Sequence, residues 1–263
     1  MRRFAKKMRQ KQFILQKPFS FPKECVKMYR ETGKKAKSVI KAILFDLDGT
    51  LADTIDDLNT AMNRMLGHFG YPLQDRAGIL RAINAGARMF VRRSLPNDGE
   101  GIDDETFEKL YRYYDRAYAD CYLEKTCRYD GMLEAVRELK AMGYPLACLS
   151  NKQDEFVKKI VGKLYPGLFD EIVGVLDLPP KPDPAMPLAV CRSLGVDPAE
   201  CAMIGDSNVD IRTAINAGML PVGVTWGFRS ADVLVEEGVR VLIQKPEELV
   251  SFFRTVGDFP PQK

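Results

Sequence analysis

The sequence predicts an α/β fold, a Rossmann-like parallel sheet core with an inserted α-helical cap, and three features predict it. Short apolar runs alternate with polar turns and helix-period segments, the signature of parallel strands joined by crossover helices. The runs are continuously apolar, which suits strands covered on both faces. Between about residues 54 and 128 the alternation breaks and only helix-period segments remain.

Taken in order, residues 1–40 read as a basic N-terminal extension. Residues 1–42 hold 14 Lys/Arg against Glu24 and Glu31, whereas the rest of the chain holds 25 basic and 34 acidic residues. The first strand is expected at Ala42 to Phe45. Residues 54–128 read as a helical cap, in which "TIDDLNTAMNRMLGHFG" and "DDETFEKLYRYYDRAYADCYLEK" have amphipathic periods. The stripe of Phe107, Leu110, Tyr111, Tyr114, Tyr118 and Cys121 in the second reads as helix packing. Residues 41–53 and 129–263 make up the core, with further strands expected at Leu146 to Leu149, Ile172 to Val175, Ala202 to Ile204, Val222 to Val224 and Val239 to Ile243. Helices between them stop at Gly143 and Gly195, as C-terminal glycines indicate.

Composition narrows the function classes. With 46% hydrophobic and 29% charged residues, the 263-residue chain has ample material for a core. Its longest uncharged stretch, residues 213–228, contains Gly and Pro and is too short to span a bilayer. Six cysteines form no CxxC pair, and Cys148 and Cys201 lie inside apolar runs; reduced thiols and a cytoplasmic location are expected. His68 is the single histidine, so catalysis must draw on carboxylates, lysine and hydroxyls. The basic extension is expected to be a solvated tail, and nucleic-acid binding is not expected of it.

In open parallel sheets ligands bind outside the carboxyl ends of the strands. Polar residues follow four of the apolar runs: Asp46 and Asp48, then Ser150, Asn151 and Lys152, then Lys181 in "PPKPDP", then Asp206 and Asp210 in "GDSNVD". Taken alone, "DLDG" is an Asx-type turn. A calcium loop is excluded, because glycine stands fourth where it is needed sixth and Asp57 stands where Glu is needed twelfth. Together these acids would repel one another unless a cation sat among them. Mg²⁺ favours carboxylate oxygens and keeps room for a phosphate oxygen. Lys181 and Ser150 would neutralise and hydrogen-bond the remaining phosphate oxygens. With histidine unavailable, a carboxylate nucleophile forming an aspartyl-phosphate is the economical route.

The motifs "DLDGT" (46–50), "SN" (150–151), "KPDP" (181–184) and "GDSNVD" (205–210) resemble, in order, the four motifs of the haloacid dehalogenase superfamily of phosphohydrolases. The helical insertion after the first motif is similar to that of the phosphoglycolate phosphatase-like branch, as are "NAGARMFVRR" (84–93), "SNKQDEF" (150–156) and "GVTWGFR" (223–229). The resemblance implies that Asp46 is the nucleophile and Asp48 the general acid and base. It implies Mg²⁺ on Asp46, Asp206 and the backbone carbonyl of Asp48, with Thr50 and Asp210 in support. Phosphate is implied to bind Ser150, Asn151 and Lys181, and the cap residue Arg88 is a candidate for the substrate carboxylate. The expected activity is hydrolysis of a small phosphorylated metabolite, 2-phosphoglycolate first. A nucleotidase, a pyrophosphatase, a sugar-phosphate mutase and a binding adaptor acting through the basic tail are the alternatives.

Overall fold

The computed structural model describes residues 39–83 and 86–257. Most of the expected basic extension, Cys25, and Asn84 and Ala85 of the "NAGARMFVRR" motif lie outside the described residues.

β1 (Ala42–Phe45) is apolar throughout and fully buried. Ile43 and Phe45 join one hydrophobic cluster while Ala42 and Leu44 join another, as the two-residue period of a strand dictates. Fully burying a large apolar side chain contributes ~1.5–3 kcal/mol, so a strand greasy on both faces belongs at the centre of a covered sheet.

After β1 the chain leaves the sheet and returns at the same place, because β2 (Ala52–Asp53) pairs antiparallel with β3 (Cys127–Arg128). Between them lie α1 (Ile55–His68), α2 (Arg76–Ala82), α3 (Ala87–Ser94) and α4 (Asp104–Ala119). Asp75 and Asp103 start α2 and α4, accepting hydrogen bonds from Gly78 N and Thr106 N and so satisfying helix-terminal donors. α1 packs against α4. The aromatic stripe buries Phe107, Leu110, Tyr114, Tyr118 and Cys121, and leaves Tyr111 half-buried.

Asp57 is a fully buried acid on α1. Its carboxylate accepts from Lys125 N (3.0 Å), Thr126 N (2.8 Å) and Thr126 Oγ1 (2.7 Å), so the start of the helical insertion is clasped to its end. A buried carboxylate needs such donors, since an unpaired one costs several kcal/mol.

The chain then alternates regularly through α5 (Met132–Ala141), β4 (Leu146–Gln153), α6 (Asp154–Leu164), β5 (Glu171–Val175) and α7 (Ala185–Leu194). It continues through β6 (Cys201–Gly205), α8 (Asn208–Ala217), β7 (Leu220–Val224), α9 (Ala231–Glu236), β8 (Val241–Ile243) and α10 (Pro246–Val256). The parallel sheet has the order β5-β4-β1-β6-β7-β8. From β1 the chain builds outward through β4 and β5, then returns to the opposite side of β1 for β6. That reversal opens the crevice in which such sheets bind ligands.

Strand limits differ from the sequence expectation in β4 to β8; β5 begins at Glu171, β6 spans Cys201–Gly205 and β7 begins at Leu220. β4 runs on to Gln153, because the polar residues after Leu149 remain extended along the cavity wall. β8 starts at Val241, and Val239 instead packs with Ile211 and Leu234 in a separate small cluster. The described cysteines, Cys121, Cys127, Cys148, Cys191 and Cys201, are free thiols. No helix among the described residues is long and apolar enough to cross a membrane.

Candidate active site

Asp46 directly follows β1, and its N–H still donates to Ile204 O of β6 at 2.9 Å. The sheet therefore holds the backbone of Asp46 at the strand end, where the carboxylate faces the crevice. Lys181, from the loop after β5, reaches the same point. Its ammonium donates to Asp46 Oδ1 (2.6 Å), Asp210 Oδ1 (2.7 Å) and Leu149 O (3.2 Å), which uses all three of its donors. Asn151 locks that lysine in place, donating to Lys181 O (2.8 Å) and accepting from Lys181 N (2.7 Å). The side chain expected to bind phosphate thus positions the backbone of Lys181, although Asn151 does line the cavity.

Asp206 directly follows β6 and accepts from Phe228 N (2.6 Å) and Thr50 Oγ1 (3.3 Å). Gly49 has φ +88°, and a Cβ there would run into the Asp206 carboxylate. Only glycine lets the "DLDGT" turn close this tightly on Asp206. Asp210 sits in the first turn of α8 in a capping box, in which Ser207 Oγ donates to Asp210 Oδ2 at 2.6 Å. One oxygen of Asp210 is held by its own helix and the other by Lys181.

Asp46, Asp206 and Asp210 each offer a carboxylate oxygen within 4.8 Å of the others, and all three are buried. Burial, reinforced by Asp210, raises the Asp46 pKa well above the usual carboxylate range against the pull of Lys181. Burial and Asp210 likewise push Asp206 up to about 7, opposed by the Phe228 N–H and by Lys181. Burial alone would favour neutral Lys181, but Asp210 and Asp46 outweigh it and hold the ammonium charged. Three carboxylates face one ammonium, a cluster short of positive charge and built wholly of hard oxygen donors. A divalent cation such as Mg²⁺ fits that donor set.

Asp48 stands outside this group. Its Oδ1 accepts from Thr54 Oγ1 (2.5 Å) and pairs with Lys152 Nζ (2.8 Å), while Ser150 Oγ donates to its Oδ2 (3.3 Å). The Asp48 side chain, expected as acid and base with only its backbone carbonyl at the metal, lies outside the carboxylate cluster, whereas Asp210, expected in support, belongs to it.

Over these groups lies a cleft open to solvent, the concave kind of place in which small molecules bind. Its far wall includes Leu58, Phe90, Tyr114 and Tyr118 from the helical insertion. The aromatic stripe therefore does two things, filling the helix interface and walling the cavity. Arg88 is not brought to this site: it is exposed, pairs with Glu108, and lies over the Phe107 (5.1 Å) and Tyr111 (4.8 Å) rings. His68 stacks on Tyr113 at 4.3 Å and is not among the cavity residues.

Three residues carry contacts that periodicity and spacing do not reveal. Gln153 Nε2 donates to Tyr111 Oη (2.7 Å) and Asp115 Oδ1 (2.8 Å), and Arg229 donates to Leu80 O (2.5 Å). Both tie the sheet side of the cavity to the helical side. Lys152, which opens the turn into α6, carries the ion pair to Asp48. Gln153 and Arg229 lie inside the "SNKQDEF" and "GVTWGFR" likenesses, the one signal pointing to them.

Comparison with known proteins agrees with this geometry. The family described as haloacid dehalogenase-like hydrolase matches residues 43–224. A phosphoglycolate phosphatase of Pseudomonas savastanoi pv. phaseolicola is 34% identical over 214 residues, covering 80% of this chain and 78% of its own. One from Psychrobacter arcticus is 36% identical over 195 residues, covering 71% and 84%. Among solved structures, a predicted phosphoglycolate phosphatase from Haemophilus somnus superposes with a TM-score of 0.76 at 28% identity, over 81% of this chain and 97% of that one.

Proposed function

Because the chain belongs to the haloacid dehalogenase-like hydrolase family, we propose that it is a Mg²⁺-dependent phosphomonoesterase working through an aspartyl-phosphate, with 2-phosphoglycolate as its first substrate. One observation carries the reading: Asp46, Asp206, Asp210 and Lys181 converge at the end of β1, while Asp48 is held apart by three separate donors. One acid is thus placed among charges that gather a phosphate, and the other is free to handle a proton.

Asp46, Asp206 and Asp210 would hold the metal, with the Asp48 backbone carbonyl. Mg²⁺ bound there supplies charge that draws in the phosphoryl group and stabilises its transferring oxygens. An Asp46 oxygen attacks phosphorus in line with the ester oxygen, and the bond to that oxygen breaks as Asp48 delivers a proton to it. Asp48, now ionised, takes a proton from water as the water oxygen attacks the same phosphorus. Phosphate leaves and Asp46 is restored. Lys181 pulls the Asp46 pKa down against burial and its acidic neighbours, favouring the ionised form that attack requires, and Ser150 offers its hydroxyl to the phosphoryl oxygens. The antiparallel β2–β3 pair forms the neck about which the helical insertion opens for substrate and closes to exclude bulk water. The phosphoglycolate relatives named above support the choice of substrate.

The test is phosphate release from a panel of phosphomonoesters, with Mg²⁺ and with a chelator. Turnover of 2-phosphoglycolate that the chelator abolishes and Mg²⁺ restores is expected. Turnover unchanged by chelation would remove the metal, and an isomerised rather than dephosphorylated product would replace the reading with a mutase.

A further inference from the structure

The cavity holds two cationic side chains among its described lining residues, Lys181 and Lys152. Lys181 has every donor engaged by the core. Lys152 does not. Its ammonium, on a side chain 9% exposed, pairs with Asp48 Oδ1 at 2.8 Å and lies 4.9 Å from the centre of the Tyr118 ring. An ammonium has three donors, and among the described residues no further acceptor meets this one. Beside it, Tyr118 also lines the cavity, and its buried hydroxyl has no hydrogen-bond partner among the described residues. A buried hydroxyl left unpaired costs about 1–3 kcal/mol, so a ligand that meets it recovers that loss.

We propose that Lys152 and Tyr118 form the leaving-group subsite, and that it takes the carboxylate of a short hydroxy acid esterified to phosphate. This rests on the phosphomonoesterase reading and assigns its specificity. Distance limits the size of the acid. Lys152 touches Asp48, the group that protonates the ester oxygen, so an anion reaching Lys152 is separated from that oxygen by only one or two carbons. Much of the rest of the wall is apolar, with Leu58, Ile83, Phe90 and Phe156, and the amide NH₂ groups of Asn151 and Gln153 already donate to other residues. Arg88 has no part in this subsite, because Glu108 and the rings of Phe107 and Tyr111 hold it outside the cavity wall.

The experiment compares kcat/KM for 2-phosphoglycolate with kcat/KM for ethyl phosphate, which has the same ester linkage and lacks the carboxylate. The ratio is the readout, because loss of the Lys152 contact to Asp48 lowers turnover of both substrates alike. Lys152→Met should cut the ratio about 10- to 100-fold, and Tyr118→Phe, which keeps the ring, about 3- to 10-fold. A thermal melt confirms that each variant is folded, and Tyr118→Phe carries the test if Lys152→Met is not. An unchanged ratio in these variants, or a fall that follows Arg88→Ala instead, overturns the subsite. So does an unmodified protein that turns over ethyl phosphate as well as phosphoglycolate, although phosphatase activity then stands. Absence of turnover on every ester would sink the phosphomonoesterase reading itself, and the subsite with it.

Discussion

The two walls of the cavity are built on opposite terms. On the sheet side Asp46, Asp206, Asp210 and Lys181 are buried and braced by one another or by backbone, at distances of 2.6 to 3.3 Å. On the helical side the wall is largely aromatic and aliphatic, and Tyr118 has a buried hydroxyl without a partner among the described residues. A fully braced wall suits a reaction that never varies, whereas an underbraced one is completed by its ligand. On the proposed reading chemistry falls to the first wall, and choice of substrate to the second together with Lys152 near the end of β4.

The largest effects should come from breaking the braced wall. Asp46→Asn should lower kcat by at least ~10³-fold, by analogy with loss of other catalytic nucleophiles, with an unaltered far-ultraviolet spectrum. A folded variant keeping most of its turnover would end the nucleophile assignment. Lys181→Met should cost about 10²- to 10³-fold in kcat/KM and lower the melting temperature, because two buried carboxylates lose their counter-charge. A melting temperature equal to that of the unmodified protein would show that the cluster does not depend on this ammonium.

Proton linkage probes the same wall without mutation. Asp206 and Asp46 have folded pKa values above their unfolded ones, so the metal-free fold binds more protons than the unfolded chain between about pH 4 and 7, and its stability falls as pH rises through that window. Mg²⁺ competes with those protons. The rise in melting temperature on adding Mg²⁺ should therefore be larger at about pH 8 than at about pH 5.5, and a rise larger at the lower pH would contradict the charge account. The smallest effect in this series belongs to the seam between the walls. Gln153→Ala removes two hydrogen bonds to α4, one of them accepted by a carboxylate, and should raise KM about 2- to 10-fold with kcat little changed, since a hydrogen bond contributes roughly 1 kcal/mol. A fall in kcat with KM constant would place Gln153 in the chemical step instead.

The same contrast accounts for what the sequence disclosed. β1 was legible to the residue, because an uninterrupted apolar run that stops at Asp46 is what a strand covered on both faces of a parallel sheet requires. Lys181, Asp206 and Asp210 drew attention because they stand in the loops and turns that follow apolar runs, although spacing could not show that Asp210 joins the carboxylate cluster; the capping box and Lys181 hold it there. Helical periodicity identified the buried stripe of α4, but it cannot tell a face that meets another helix from one that meets a cavity, and Tyr114 and Tyr118 line the cavity. Arg88 attracted a substrate role through a local likeness, and a partner 20 residues away, Glu108, claims it. Gln153 was hidden for a related reason, since its partners lie far away in sequence; Lys152 was visible beside Ser150 and Asn151, but its pairing with Asp48 was not.

The clasp of Asp57 on Lys125 and Thr126 bears on how quickly the sheet can assemble. Pairing β1 with β4 joins Phe45 to Cys148, a closure of about 100 residues. If the insertion folds first and its ends are already clasped, the free chain to be closed shrinks to about 35 residues, which lowers the closure cost by about 1 kcal/mol. The largest excursion from the sheet would then act as a short tether. Asp57→Asn should slow refolding several-fold, and an unchanged refolding rate would show that the clasp forms only after the sheet.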